Sequence, residues 1–215
     1  MLRFLIKIPG LPHAHMVIRF ARRPDGEHEV TEGEAMPWVD EFVCAQKPTC
    51  EVLAKYGMLI QKSDSEDLNA RFDVHPQIVR SMMLRDGAYY GKEITPTEFV
   101  NYMSIAVTGH SPDPPGVHTY SPGPLIHGPH SRTEPLTKKA GPRCKVAADG
   151  VTCKSGYPFE PNPYTRLGER GFVVYKRDEG DELVVPYNPW LVFEFGGHTN
   201  VEWAATSRFV DFALW

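Results

Sequence analysis

No apolar run in this 215-residue chain approaches the roughly 20 residues needed to cross a bilayer. A membrane-spanning helix is therefore not expected. The first apolar stretch is interrupted by Lys7 and Pro9, which leaves no secretory leader, so an intracellular protein is expected. Cysteine is scarce: Cys44, Cys50, Cys144 and Cys153 are too few for a disulfide scaffold in a chain this long. Free thiols or metal ligands are the expected roles. A positive surplus is missing too, since the net charge is −4. The charge is unevenly spread, however. Residues 125–177 hold ten Lys/Arg against four acids, a local +6. A basic stretch of this kind can contact phosphates, and it can equally be a solvated charged face.

What remains is ordinary for a globular protein. Hydrophobic residues make up 41% and charged residues 23%, and the length suits one domain with a proper core. Near the N-terminus, two apolar runs, Phe4 to Ile8 and Met16 to Phe20, flank Pro9-Gly10-Leu11-Pro12-His13-Ala14-His15. They read as two strands joined by a turn. Strand side chains alternate faces, so His13 and His15 are expected to point the same way. Two imidazoles on one face can grip a divalent metal, although His-x-His alone is a weak signal.

Further along, Trp38, Val39, Phe42 and Val43 have helical spacing within Met36 to Ala45. Ser63-Asp64-Ser65-Glu66 and Thr95-Pro96-Thr97-Glu98 both have the form of a helix-starting capping box. Phe99, Tyr102, Met103 and Ala106 make one apolar stripe, and Gly109 can end that helix. Ile78, Val79, Met82 and Met83 make another within Pro76 to Arg85. Residues 111–124 are rich in Pro, Gly and Ser and read as a linker. Leu191 to Phe195 reads as a buried strand, and His198 to Glu202 as another. A helix is expected from about Ala204, with Phe209, Val210, Ala213 and Leu214 on its apolar side. Strands and helices in separate runs give an α+β class with a mainly antiparallel sheet.

Several of these segments, taken in order, resemble one family. Gly10-Leu11-Pro12-His13-Ala14-His15 before an apolar strand is similar to the HUH motif of the Rep nuclease in Helitron transposons. There it lies in the N-terminal "Helitron helicase-like" domain. Trp38 to Ala45 is similar to the run that follows. Ile126-His127-Gly128-Pro129-His130 resembles the family's His-Gly-Pro-Cys, and Cys144 and Cys153 its paired cysteines. Gly171 to Arg177 resembles Gly-Tyr-Pro-Val-Tyr-Arg-Arg. Val184-Val185-Pro186-Tyr187-Asn188-Pro189-Trp190-Leu191 is the fullest match, and His198-Thr199-Asn200-Val201-Glu202 resembles His-Ile-Asn-Val-Glu. The resemblance covers residues 1–50 and 119–215. Residues 52–118 have no counterpart in it and read as an inserted helical segment, within a single domain over 1–215.

The resemblance implies an HUH-nuclease-like fold and a metal-dependent single-stranded DNA nickase and strand transferase acting in rolling-circle transposition. It implies His13 and His15 as ligands of Mg²⁺ or Mn²⁺, transposon-end DNA as partner, and a nuclear location. The chemistry would be attack of a tyrosine hydroxyl on a phosphate, with the metal offsetting the poor nucleophilicity of a neutral phenol. Two departures stand against catalysis. The family's Glu and Gln on the strand before the turn fall on Leu5 and Lys7, and its first tyrosine falls on Phe212. The helicase that follows the domain in the family has no counterpart within these 215 residues. A fragment or decayed copy of a Helitron reading frame is the expected account. The alternatives are a non-catalytic DNA-binding remnant and a zinc-stabilised structural or interaction domain. Lys138, Lys139, Arg143, Lys145, Lys154, Lys176 and Arg177 are the expected DNA contacts, with Tyr157, Phe159, Tyr164 and Tyr175 available to stack on bases. His127, His130, Cys144 and Cys153 are candidate ligands of a structural Zn²⁺, against the plainer reading of ordinary thiols and a loop histidine.

Overall fold

The longest regular element starts where its sequence says it should. Thr95 accepts a hydrogen bond from the Glu98 N–H, and the Glu98 carboxylate accepts in return from the Thr95 N–H at 2.8 Å. With Pro96 at the first position, this reciprocal cap launches a helix over Pro96–Thr108, which ends on Gly109 in the left-handed region at φ 77°. Its inner face buries Phe99, Met103 and Val107, each four residues from the next. The structure is a computed structural model. It describes residues 4–6, 14–16, 32–85, 89, 91–109, 125–127, 153, 155–168, 172–195, 199 and 201.

In chain order the elements are β1 (Phe4–Ile6), β2 (Ala14–Met16), α1 (Glu32–Phe42), α2 (Cys50–Lys55), β3 (Leu59–Gln61), α3 (Leu68–Arg71), β4 (Phe72–Val74) and α4 (Pro76–Arg85). Then follow α5 (Pro96–Thr108), β5 (Arg166–Leu167), β6 (Val173–Val174) and α6 (Pro189–Phe195). The strands pair antiparallel as β1–β2, β3–β4 and β5–β6. The class is α+β with small antiparallel sheets.

Residues 52–118 are not wholly helical as expected. They contain the β3–β4 hairpin, in register Leu59↔Val74 and Gln61↔Phe72. Three-residue strands are too short to display a period of two, which is why the pattern did not announce them. The first expected capping box starts no helix. Ser63 Oγ donates to the Ala70 carbonyl at 2.9 Å and accepts from Ser65 N–H, and Ser65 Oγ accepts from Asp67 N–H. These local serine bonds hold a turn in place of a helical one. The short α3 begins instead behind Asp67, whose carboxylate accepts from Asn69 N–H.

The expected strand Leu191–Phe195 is a helix. Asn188 Oδ1 accepts from the Leu191 N–H at 3.0 Å, and Pro189 takes the first helical position. Pro189, Val192 and Phe193 are the buried set, spaced three and four apart. A short continuous apolar run cannot be assigned by periodicity, and here the cap decides it. Arg85, at the end of α4, closes α6 by donating to the Phe193 carbonyl at 2.8 Å and pairing with the Glu194 carboxylate. The helix expected over Met36 to Ala45 starts earlier and stops at Phe42, because Cys44 leaves it to pair with Tyr187: each residue's N–H donates to the other's carbonyl.

The main core joins both halves of the chain. Leu53, Met58, Phe72, Ile78, Phe99, Met103 and Val107 pack with Leu125, Val184, Tyr187, Val192 and Phe193. Residues 50–107 therefore share one core with the flanking segments. Phe193 meets Phe99 and Tyr102 edge-on at ring separations of 5.9 and 6.1 Å. A smaller cluster sets Met36, Val39, Val43, Ala45 and Tyr175 together, with Leu167, Val173 and Val201 against it.

Candidate nucleic-acid interface and metal centre

The β5–β6 hairpin has two unlike faces. Its register is Arg166↔Val174 and Leu167↔Val173, extended at the open end by Gly168 N–H donating to the Phe172 carbonyl at 2.7 Å. Gly168 carries no side chain because one would meet that carbonyl at 3.0 Å. Alternation then sorts the residues. Leu167, Val173 and Tyr175 lie on the face that packs against α1 in the smaller cluster. The other face carries Arg166 and Phe172, while Tyr164 lies in the bend that leads into β5 and Lys176 follows β6. Tyr164 and Phe172 are each 61% exposed, Arg166 is exposed and Lys176 half-buried. Exposed rings and an exposed cation on and next to one hairpin are the residue types on which bases can stack while phosphates are neutralised.

This arrangement revises the expected contacts. Tyr175 is 9% exposed and faces the core, so it cannot stack on a base. Arg177, expected to meet phosphate, is 3% exposed. Its Nη1 lies 3.3 Å from the Ala45 carbonyl, 2.9 Å from that of Asp181 and 2.6 Å from that of Val184. Burial pushes its pKa down, and the neighbouring Tyr157 and Asp181 oppose that shift. It is a core cation, held there because three carbonyls from two distant stretches, Ala45 and the Asp181–Val184 loop, converge on it. Phe172 was not singled out by the sequence, and only its register position reveals it. Lys138, Lys139, Arg143, Lys145 and Lys154 lie outside the described residues.

The second site is built on the turn after Cys153. Gly156 N–H donates to the Cys153 carbonyl at 3.0 Å, with Gly156 at φ 81°, a conformation costly for any residue with a side chain. The turn swings Tyr157 back over His127. Their rings stack at 4.1 Å with planes 11° apart. His127 itself is fixed through its backbone, whose N–H donates to the Leu183 carbonyl at 2.8 Å. The result places His127 Nε2 3.4 Å from Cys153 Sγ. Two of the four expected zinc ligands thus meet. His130 and Cys144 lie outside the described residues, and among the described residues no group of three or more His, Cys, Asp or Glu converges.

The pair fits zinc. Bonds of about 2.3 Å to sulfur and 2.0 Å to nitrogen at a tetrahedral angle separate the two donors by about 3.5 Å. Tyr157 was read as a base-stacking ring; stacked on an imidazole, it is instead a wall of this site. The Gly156-Tyr157 turn is the available signal, because a glycine three residues after Cys153 permits the chain to double back.

The N-terminal histidines are only partly on view. His15 lies in β2, and Leu5 in β1 stands directly opposite it in register, as Phe4 does to Met16. His13 and Phe212 lie outside the described residues, as do residues 111–124 and the helix expected from Ala204. Leucine has no donor atom, so the β1 position facing His15 does not fit Mg²⁺ or Mn²⁺. Among the described residues no helix is long and apolar enough to cross a membrane. Compared with known proteins, the chain matches no protein-family model, no curated protein and no solved structure.

Proposed function

We propose that this chain is a Helitron-type HUH domain, a fragment or decayed copy, that binds single-stranded DNA without cutting it. The observation that carries the reading is the exposure of Phe172, Tyr164 and Arg166 on and next to the β5–β6 hairpin, with Lys176 half-buried at its end. A flexible strand can lay successive bases on the two rings and its phosphates on the two cations, with no demand on sequence. The ordered family-like motifs supply the class of partner. The DNA is the single-stranded end of a transposon, met in the nucleus. Leu5 opposite His15 and Phe212 at the tyrosine position support binding without cleavage. His127 and Cys153 hold a structural Zn²⁺ that ties the 125–127 segment to the 153–159 turn.

The test is fluorescence anisotropy with a labelled single-stranded oligonucleotide over a range of salt. Affinity should fall steeply as salt rises, because bound phosphates release counterions. Phe172→Ala and Tyr164→Ala should each weaken binding about tenfold or more, in keeping with roughly 1–3 kcal/mol per stacked base. Equal affinity in wild type and both variants would move the interface elsewhere. No binding at low salt would end the DNA reading and favour a zinc-stabilised structural domain.

A further inference from the structure

Three features outside the DNA-facing hairpin invite a role. The groove beside α4, lined by Val74, Pro76, Val79, Arg80, Met83 and Leu84, is apolar, but nothing marks an occupant for it. The buried set of Cys44, Tyr56 and Tyr187 is saturated by its own backbone partners. The third, the stack that leads from Arg177 to His127, has a consequence.

We propose that Arg177 and Tyr157 are positioning residues for the His127–Cys153 metal pair, an inference that rests on the zinc reading above. The chain of contacts is continuous. Arg177 sits over the Phe159 ring at 5.0 Å and the Tyr157 ring at 5.9 Å. Phe159 meets Tyr157 edge-on at 4.6 Å, and Tyr157 lies flat on His127 at 4.1 Å. A cation on aromatic faces and stacked rings are attractive contacts, and this set has little freedom to shear.

Arg177 also fixes the backbone that the metal pair depends on. Its Nη1 reaches the carbonyls of Asp181 and Val184. The loop between those residues receives the His127 N–H on the Leu183 carbonyl at 2.8 Å and the Phe159 N–H on the Glu182 carbonyl at 3.0 Å. One guanidinium therefore locates both segments that bring His127 to Cys153. Lysine cannot replace it, because an ammonium has no planar face to lie on two rings. A ligand imidazole that can rotate about its bonds pays an ordering cost when metal binds. Here the Tyr157 ring has already set its plane.

The experiment is Co²⁺ titration of the apo protein, read by the sulfur-to-cobalt charge-transfer band, with Zn²⁺ competition for affinity. Four proteins are compared: wild type, Tyr157→Leu, Tyr157→Phe and Arg177→Lys, with far-UV circular dichroism to report folding. Tyr157→Leu should bind roughly 10–100-fold more weakly, the usual effect of losing a group that orients a ligand. Tyr157→Phe keeps the stacked ring while losing the hydroxyl beside Arg177, and should bind more tightly than Tyr157→Leu. Arg177→Lys should weaken binding as Tyr157→Leu does. If Arg177→Lys fails to fold, the two Tyr157 variants decide the matter, because neither removes an Arg177 hydrogen bond to backbone. A charge-transfer band in wild type with equal affinity in Tyr157→Leu overturns the positioning role and leaves the zinc site standing. No band in wild type overturns both.

Discussion

The Tyr187 hydroxyl donates a 2.8 Å hydrogen bond to the Gln46 carbonyl, 141 residues earlier in the chain. The ring is fully buried, and its own backbone exchanges hydrogen bonds with Cys44. Asn188 Nδ2 reaches the Phe42 carbonyl at 2.7 Å, and Trp190 Nε1 the Tyr56 carbonyl at 2.8 Å. The most family-like motif, Val184 to Leu191, is thus a clamp across the core. Tyr187→Phe should leave the Gln46 carbonyl without this donor and cost about 1–3 kcal/mol, read as a lower urea midpoint with unchanged slope. An unchanged midpoint would mean that the clamp contributes nothing net.

The cap of α5 gives a second expectation, with a pH dependence. The Glu98 carboxylate accepts from the Thr95 N–H and hydroxyl, and these bonds hold its pKa below the ordinary 4.5. A depressed acid stabilises the fold above its unfolded pKa and loses that contribution as pH falls through its folded one. The stability gap between wild type and Glu98→Gln should therefore shrink on acidification below about pH 4.5. Thr95→Ala, which removes the other half of the cap, should cost about 1 kcal/mol at neutral pH. A gap that widens on acidification would contradict this account.

Two thiols should be inert. Burial raises the pKa of Cys44, and burial with the neighbouring Glu51 pushes Cys50 up to about 11. Since the thiolate is the reactive form, neither should take up iodoacetamide at pH 8 in the native protein. Both should be labelled once denaturant is added. Peptide mapping that finds either one modified under native conditions would show that the Cys44–Tyr187 pairing or the start of α2 opens readily.

No covalent phosphotyrosine should form on DNA. Beyond Phe212, the two tyrosines in the family-like motifs are both out of reach: Tyr187 is 0% exposed and Tyr175 is 9%. A nucleophile must stand within about 3–3.5 Å of the phosphorus, which a core ring cannot do. Burial also raises the Tyr187 pKa well above 10, leaving the phenol neutral. Incubation with labelled single-stranded DNA and Mn²⁺, followed by denaturing electrophoresis, should give no labelled protein. A persistent labelled band would identify a tyrosine that does the chemistry.

What was legible in the sequence was what is decided locally. The Thr95–Glu98 cap, the stripe on α5 and the stop at Gly109 need only neighbours a few residues away, and all three are present. The Ser63–Glu66 segment has the same form but different partners, so local spelling misled there. The fate of Arg177 was not local at all. Its carbonyl partners include Ala45, 132 residues away, and no window of sequence contains that distance. The His127–Cys153 pair falls between these cases. Residue types singled out His127 and Cys153, whereas the Tyr157 stack needed the turn at Gly156.

The clamp made by Tyr187, Asn188 and Trp190 also governs the order of events on the ribosome. Synthesis delivers Leu53, Met58, Phe72 and Phe99 long before Tyr187, Val192 and Phe193, which complete their core. Until residue 193 has cleared the exit tunnel, those side chains have no cover from the C-terminal half. The nascent chain therefore spends most of its elongation as an incomplete core, open to chaperones and proteases. Placing a stop codon just before Tyr187 would remove Tyr187, Val192 and Phe193 together and leave that core permanently uncapped.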